Sequence, residues 1–299
     1  MTKHSRRYRF FYLAAGILFA SCTYRFYPCG CDYPVAGSLV KQTRLDSSVR
    51  ETSGLLYMDG FIWSFNDSGG DPALYCIDAG NGSIIRKTII RNATNVDWED
   101  IAEDATHVYV ADVGNNYGTR DTLIIYRIPK KAMLSGDPGI IHDGIISLTF
   151  HGQTGQTRSG LSSKDCEALL VYGDSLYLFS KDWVNETTAV YVIPKEPGHY
   201  NADPQTFYKA DLLVTGADLF QAGKQVSLVG YHDYMPVVIS YRYDESPAMI
   251  SCGGKARIYP MRMGRQVEGI CYDPRGRLFI SAEKSLQNQT LFRVGRTNR

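Results

Sequence analysis

The chain predicts an all-β fold, a β-propeller of five blades with four antiparallel strands each, and three observations predict it. The first is a phrase that recurs five times: a small or acidic residue, a short apolar run, a turn, and a second apolar-aromatic run that ends in polar residues. The phrases start at Ser53-Gly54-Leu55, Glu99-Asp100-Ile101, Glu167-Ala168-Leu169, Ala217-Asp218-Leu219 and Glu268-Gly269-Ile270, at intervals of 46, 68, 50 and 51 residues. Units near fifty residues with about four short strands each are what a radial array of sheets requires. The second observation concerns the ends. The last unit has 32 residues, room for three strands, while residues 38–45 form a surplus strand ahead of the first unit. Pairing the two closes the ring and leaves no exposed edge. The third is composition: β-branched and aromatic residues abound, with 21 Tyr, and no long helical period interrupts them.

In chain order, the first blade is expected at 55–57, 61–65, 74–77 and 84–90, its first hairpin turning at Asp59-Gly60. The second occupies 101–103, 107–111, 123–128 and 145–150, with room for one short turn of helix at 130–134. Its length accounts for the interval of 68, and six blades is the alternative if this unit hides one. The third runs through 169–172, 175–180 and 189–193 to a strand near 207–213, with a turn at Gly173-Asp174-Ser175. The fourth takes 226–231, 237–241 and 256–261 after Ala222-Gly223-Lys224. The fifth takes 270–272, 278–281 and 290–294 around Asp273-Pro274-Arg275-Gly276.

Residues 1–21 form a targeting segment. Lys3, Arg6, Arg7 and Arg9 precede a mostly apolar run over 10–20, too short to span a bilayer at about 20 residues per crossing. Phe19-Ala20-Ser21-Cys22 has the form of a bacterial lipobox, in which Cys22 is expected to be the acylated first residue of the mature chain; an ordinary cleaved signal with a chance cysteine, or a twin-arginine signal from Ser5-Arg6-Arg7, is the alternative, and all three export the chain. Residues 22–37 then form a tether and 38–299 the propeller domain. The expectation is an exported protein, lipid-anchored through Cys22 in the bacterial cell envelope at the outer membrane. Without the four basic residues of the leader, 28 Lys and Arg face 31 Asp and Glu, a balance that argues against nucleic acid as a partner. The six cysteines beyond Cys22 allow fifteen pairings and select none. Cys29 and Cys31 lack the second pair or histidine that a tetrahedral zinc site needs. Cys76 and Cys271 lie in apolar strands, where a buried free thiol is expected.

In an antiparallel blade, the start of the innermost strand and the end of its neighbour lie at one rim. Glu99, Asp100, Glu167, Asp218 and Glu268 are therefore expected at one mouth of the central channel, with Asn66, Asp67, Asp112, Lys181, His232 and Glu283. Converging carboxylates suit a hard cation such as Ca²⁺, which takes six to eight oxygen ligands. They also raise one another's pKa and so supply a general acid and base. Capping of backbone amides, or pairing with Lys181 or Arg265, is the structural alternative. Two oxygen-rich, glycine-hinged loops stand out, 66–71 and 112–118, the second with Asn115 and followed by Arg120. Neither has the twelve-residue spacing of an EF-hand. Trp98 beside Glu99 offers a stacking face or, alternatively, packs in the core. No Gly-x-Ser-x-Gly motif marks a nucleophile.

The run Glu51-Thr52-Ser53-Gly54-Leu55 through Asn66-Asp67-Ser68-Gly69, then Leu74-Tyr75-Cys76-Ile77-Asp78, Asn95-Val96-Asp97-Trp98-Glu99-Asp100-Ile101-Ala102 and Asp112-Val113-Gly114-Asn115-Asn116 resembles exported bacterial β-propeller lipoproteins. It is distantly similar to the SdiA-regulated and phytase-like esterase propeller families. The match covers residues 51–128, and beyond it only the blade pattern continues. The resemblance implies a propeller whose axial mouth uses carboxylates and Asn, a role that falls here on Glu99, Asn66 and Asp112 as Ca²⁺ ligands. The chain departs from that pattern in blades three and four, where Lys181 and Ala217 stand at acidic or amide positions.

The function expected from these residues is an envelope binding module with a polar ligand or cation at its axial mouth. Ca²⁺ is the candidate cofactor, and an envelope protein or a glycan the candidate partner. The site candidates are Asn66, Asp67, Glu99, Asp100, Asp112, Asn115, Glu167 and Glu268. A metal-assisted hydrolase of a phosphoester, ester or lactone is the enzyme alternative, with His232 as its acid. A structural scaffold in an envelope complex is the third reading.

Overall fold

A computed structural model describes residues 38–151, 160–185, 187–208, 212–232, 235–243, 257–260 and 265–295. The targeting segment, the lipobox with Cys22, the tether with Cys29 and Cys31, and Cys252 lie outside the described residues.

Five sheets form a closed ring. Strand β1 (Ser38–Arg44) precedes the first blade, which comprises β2 (Thr52–Met58), β3 (Phe61–Asn66), β4 (Ala73–Ile77) and β5 (Ile84–Arg91). The second blade holds β6 (Trp98–Glu103), β7 (His107–Asp112) and β8 (Leu123–Pro129). After it come helix α1 (Lys130–Leu134), strand β9 (Gly139–Ile141) and β10 (Gly144–Phe150). The third runs β11 (Cys166–Tyr172), β12 (Ser175–Ser180), β13 (Thr188–Pro194), β14 (Gly198–Ala202) and β15 (Pro204–Tyr208). The fourth is β16 (Leu213–Phe220), β17 (Gln225–His232), β18 (Met235–Arg242) and β19 (Arg257–Pro260). The fifth is β20 (Val267–Tyr272), β21 (Leu278–Ala282) and β22 (Thr290–Gly295). Strand β1 pairs antiparallel with β22, from Ser38 opposite Gly295 to Arg44 opposite Thr290, and completes the last blade. The surplus strand at one end thus fills the deficit at the other.

The second unit hides no sixth blade. Its extra length is spent on α1 and on β9, which leaves its own blade and pairs in parallel with β5 of the blade before it. The third unit does the same with β14, which pairs in parallel with β10. Periodicity gave no sign of these two strands, because each is short and is held by an edge that its own hairpin does not create. Both cover the outer edge of a neighbouring blade, which would otherwise present unpaired amides and carbonyls.

The core consists of five apolar clusters, one in each of the five interfaces between neighbouring blades. In β4, Leu74 and Cys76 pack toward the second blade, while Ala73, Tyr75 and Ile77 pack toward the fifth. In β12, Leu176 and Leu178 face the second blade, and Tyr177 and Phe179 the fourth. Side chains alternate across a strand. A sheet covered on both faces therefore reads as a continuous apolar run, with no polar alternation. Cys76, Cys166 and Cys271 are buried free thiols within these faces.

Candidate metal centre at the axial mouth

All five innermost strands break register at the same height. The shifts fall between Ser53 and Leu56, Trp98 and Asp100, Cys166 and Ala168, Val214 and Gly216, and Val267 and Ile270. A bulge inserts one extra residue and re-aims its side chain. In blades two and three the extra residue is Glu99 and Glu167, and Glu268 lies in the break of blade five. In blade four it is Thr215, whose hydroxyl donates to the Val267 carbonyl at 2.8 Å. In blade one Ser53 donates to the Glu99 carbonyl at 2.7 Å. Hydroxyls from blades one and four therefore fix the backbone that carries the glutamates of blades two and five.

This register corrects the fourth phrase. Thr215-Gly216-Ala217, not Ala217-Asp218-Leu219, is equivalent to the three Glu-led phrases. Asp218 turns away from the mouth and accepts the amides of Leu219 (2.7 Å) and Tyr272 (2.6 Å). Asp100 also leaves the mouth. Fully buried, it accepts the amides of Ile101 (2.8 Å), Leu169 (2.9 Å) and Ala217 (3.2 Å), tying blades two, three and four together across the axis. Neither carboxylate is open to a ligand.

Three carboxylates do converge. Asp67, Asp97 and Glu99 each present an oxygen within 4.8 Å of the other two. Asp67 follows β3, Asp97 precedes β6 and Glu99 occupies the bulge, so two blades build the group. Asn95 locks it: its amide donates to the carbonyls of Asn66 (2.9 Å) and Asp67 (2.7 Å), and its oxygen accepts the Trp98 amide. Gly114 lies directly against the carboxylates, where a Cβ would stand 2.1 Å from Glu99 Oε1 and 2.4 Å from Asp97 Oδ2.

The group is short of positive partners. Glu99 is 5% exposed, and among the described residues its carboxylate has no hydrogen bond or ion pair. Asp67 Oδ1 is buried and also unpartnered. Burial first, then the like charges of Glu167, Asp67 and Asp97, pushes the Glu99 carboxyl well above its ordinary range. Burial and Asp97 push Asp67 up to about 7. Burial and Asp165 push Asp97 up to about 6.

The opposite half of the mouth is organised by Lys181. Its Nζ lies 2.8 Å from Glu167 Oε2 and 4.8 Å from the centre of the Trp183 ring. Burial works against this ammonium, yet Glu167, Glu268 and Asp165 hold its pKa above the ordinary range. Asp165 in turn accepts the Trp183 indole N–H at 2.9 Å and the Asn115 amide at 2.8 Å. Glu268, pushed to about 8 by burial, faces Glu283, which burial and Glu268 push well up.

The sequence-predicted candidates separate cleanly. Asp67, Glu99, Glu167 and Glu268 share the mouth. Asn66 does not reach it, because its side chain bonds the Ser48 carbonyl (2.7 Å) and the Glu51 amide (3.2 Å). Asp112 is turned to the amides of Val96 and Asp97 and pairs with Arg120 at 2.7 Å. Asn115 exchanges hydrogen bonds with the backbone of Arg120. The expected Ca²⁺ trio of Glu99, Asn66 and Asp112 is therefore not assembled; Asp67 and Asp97 stand beside Glu99 instead. Trp98 is fully buried, edge-on to Phe65 at 5.5 Å, and offers no stacking face. The side chain of His232 lies outside the described residues. Sequence reasoning missed Asp97, Asp165 and Asn95. A signal existed for the first two, since Asp97-Trp98-Glu99 and Asp165-Cys166-Glu167 repeat one Asp-x-Glu pattern.

No protein-family model matches the chain, and no curated protein matches it. Among solved structures, an exo-β-1,3-galactanase from Phanerochaete chrysosporium aligns with a TM-score of 0.52 and 11% identity, over 87% of this chain and 67% of that one. A PQQ-bound aldose sugar dehydrogenase from Streptomyces coelicolor aligns at 0.45 and 13%, over 88% and 99%. A calcium-binding regucalcin from Agrobacterium tumefaciens aligns at 0.45 and 15%, over 88% and 95%. At these identities the likeness is one of fold alone. It accords with the propeller part of the resemblance carried by residues 51–128; the lipoprotein and SdiA-like part has no counterpart in these three.

Proposed function

We propose that this propeller is a cation-binding module of the bacterial cell envelope, lipid-anchored through Cys22, with Asp67, Asp97 and Glu99 holding a divalent cation such as Ca²⁺. One observation carries the reading: Glu99 is nine-tenths buried, its carboxylate has no hydrogen bond or ion pair among the described residues, and two further carboxylates each present an oxygen within 4.8 Å of one of its own. Ionising a buried carboxyl without a partner is costly, and a divalent ion is a small partner that touches all three at once and favours their ionised forms. Three carboxylates supply part of the six to eight oxygens Ca²⁺ takes, so further positions face the mouth and a ligand there. An envelope protein or a glycan is the partner this geometry would recruit, and the lipid on Cys22 would keep the module at the membrane.

The test is calorimetric titration of the purified mature chain with Ca²⁺, Mg²⁺ and Mn²⁺, together with thermal unfolding. Stabilisation that grows with cation concentration is expected, because a ligand of the native state alone stabilises by mass action. Loss of that response in Asp97→Asn and Glu99→Gln supports the reading. A mature chain that binds none of the three ions overturns it.

A metal-assisted hydrolase is the second reading, favoured by the Glu268 carboxyl, which holds its proton near neutrality beside the carboxylate group. Such a carboxyl serves as a general acid, and a bound cation lowers the pKa of its water. Turnover of chromogenic phosphoesters or lactones that disappears in Glu268→Gln supports this reading. Cation binding without turnover leaves the binding module.

A further inference from the structure

A cleft opens on the far side of the ring from the mouth, between blades five and one. Tyr57, near the end of β2, and Phe279, near the start of β21, lie at that end of their strands. With Gln42, Gly80, Arg277 and Arg293 they line a space of about 420 Å³, within the range of small-molecule pockets. The floor is aromatic: the two rings stack with centroids 6.2 Å apart and planes 16° from parallel, and Phe279 is buried.

Register explains why two arginines stand there. Arg293 is the partner of Phe279 across β22 and β21, and partners in an antiparallel pair share a face. Phe279 packs on blade one, so Arg293 is directed to the same interface. Arg277, just before β21, holds its guanidinium 5.8 Å from the centre of the Phe279 ring. Its Nε donates to Asp273 at 2.5 Å, which fixes the fork before a ligand arrives and lowers the ordering cost of binding. Gln42 is the extra residue where β1 breaks register between Lys41 and Thr43, and a bulge re-aims the side chain it adds.

The acids of the two adjoining turns are already engaged. Asp78 Oδ1 accepts the Gly80 amide at 2.6 Å, and Asp273 accepts the amides of Arg275 (3.0 Å) and Arg277 (2.7 Å) besides the guanidinium. Planar guanidinium forks bind phosphate through paired hydrogen bonds. Beside an apolar floor the effective dielectric falls and that attraction strengthens.

The same end of the ring receives the tether. Strand β1 starts at Ser38, opposite Gly295, and runs toward the mouth, where Arg44 meets Thr290. Residues 22–37 therefore join the propeller on its far side, through the strand that supplies Gln42. Resting on the anchor at Cys22 in the reading above, we propose that the cleft binds a phosphate group, that of an anionic phospholipid in the membrane to which Cys22 tethers the chain. The carboxylate mouth then faces away from the bilayer.

The experiment is cosedimentation of the unacylated mature chain, made with Cys22→Ser, with vesicles of phosphatidylcholine alone and of equimolar phosphatidylcholine and phosphatidylglycerol. Binding to the second alone is expected. The mature chain carries more acidic than basic residues, so its net charge would repel it from that surface. Arg277→Gln and Arg293→Gln should each weaken binding by roughly fivefold, whereas Arg275→Gln, on the same turn but outside the cleft, should not. Arg293→Gln leaves the pair with Asp273 intact and decides the matter if Arg277→Gln fails to fold. No vesicle binding, or equal losses in all three variants, overturns this inference alone. Glycerol phosphate bound in NMR titration without vesicle binding overturns the membrane as the source and leaves a soluble phosphorylated ligand. Mass spectrometry that finds Cys22 unacylated in the chain matured in a bacterial envelope removes the anchor reading and this inference together.

Discussion

Gly114 and Glu99 stand closer than any other residue at position 114 would allow: a methyl group there would lie 2.1 Å from the Glu99 carboxylate. Backbone is thereby placed where a side chain would otherwise separate the second blade's loop from its bulge. Gly114→Ala is expected to force Glu99 and Asp97 apart. Circular dichroism should report a folded propeller, and the cation-induced rise in Tm should vanish. An unchanged response would show that the carboxylates do not need this approach.

Glu99 and Asp112 are both buried acids near the mouth, and their removal should have opposite effects. Glu99→Gln replaces an acid whose ionisation burial and the carboxylates of Glu167, Asp67 and Asp97 oppose with a neutral amide, so the cation-free protein should gain stability at high pH, on the order of 1 kcal/mol, or a few degrees in Tm. Asp112→Ala leaves Arg120 and two amides without their acceptor and should cost about 3–5 kcal/mol with or without cation. Chemical denaturation of both variants in EDTA checks the contrast.

Stability without cation should fall as pH rises toward 8. Burial raises Glu268 to about 8, Asp67 to about 7 and Asp97 to about 6, from ordinary values of 4.5, 3.8 and 3.8. The folded state then binds more protons than the unfolded state. Its contribution is complete below the ordinary values and is lost as pH climbs through 6–8. Comparing wild type with Glu268→Gln in EDTA isolates the effect, since the variant should show the shallower fall between pH 6 and 9. Equal slopes would mean that Glu268 is ionised throughout.

Removal of β1 should open the ring. Its pairing with β22 is reinforced by the buried Gln289, whose amide donates to the carbonyls of Leu45 (3.1 Å) and Asp46 (3.0 Å). Deletion of residues 38–44 exposes the edge of β22, a template for association. A lower Tm and concentration-dependent aggregation in light scattering are expected, and a monomer of wild-type stability would contradict the closure.

Much of the fold was legible because both sheet faces are buried, so every strand is an apolar run whatever its blade. Strands 61–65 and 278–281 fall close to the observed Phe61–Asn66 and Leu278–Ala282. The helical turn at 130–134 falls on α1 because Pro129 precedes it and Met133 turns into the core. The edge strands β9 and β14 were not legible, since only contact with another unit's blade makes them strands.

The site was legible in residue type and illegible in direction. The repeated glutamates marked the mouth, and three of the four candidates that share it are those bulge residues. Whether a neighbouring acid faces the mouth or the backbone is set by one extra residue in a strand, and a bulge shows in no local propensity. Asp100 and Glu99 are adjacent in sequence, yet one seals the axis with three amides and the other, among the described residues, has no hydrogen bond or ion pair at the rim. The order of residues determined the number of blades and how the ring closes, because burial and turn chemistry act over a few positions. Tertiary structure alone decided which carboxylates meet, because register between strands is settled by pairing across blades, and charge becomes available only where no backbone amide takes it up.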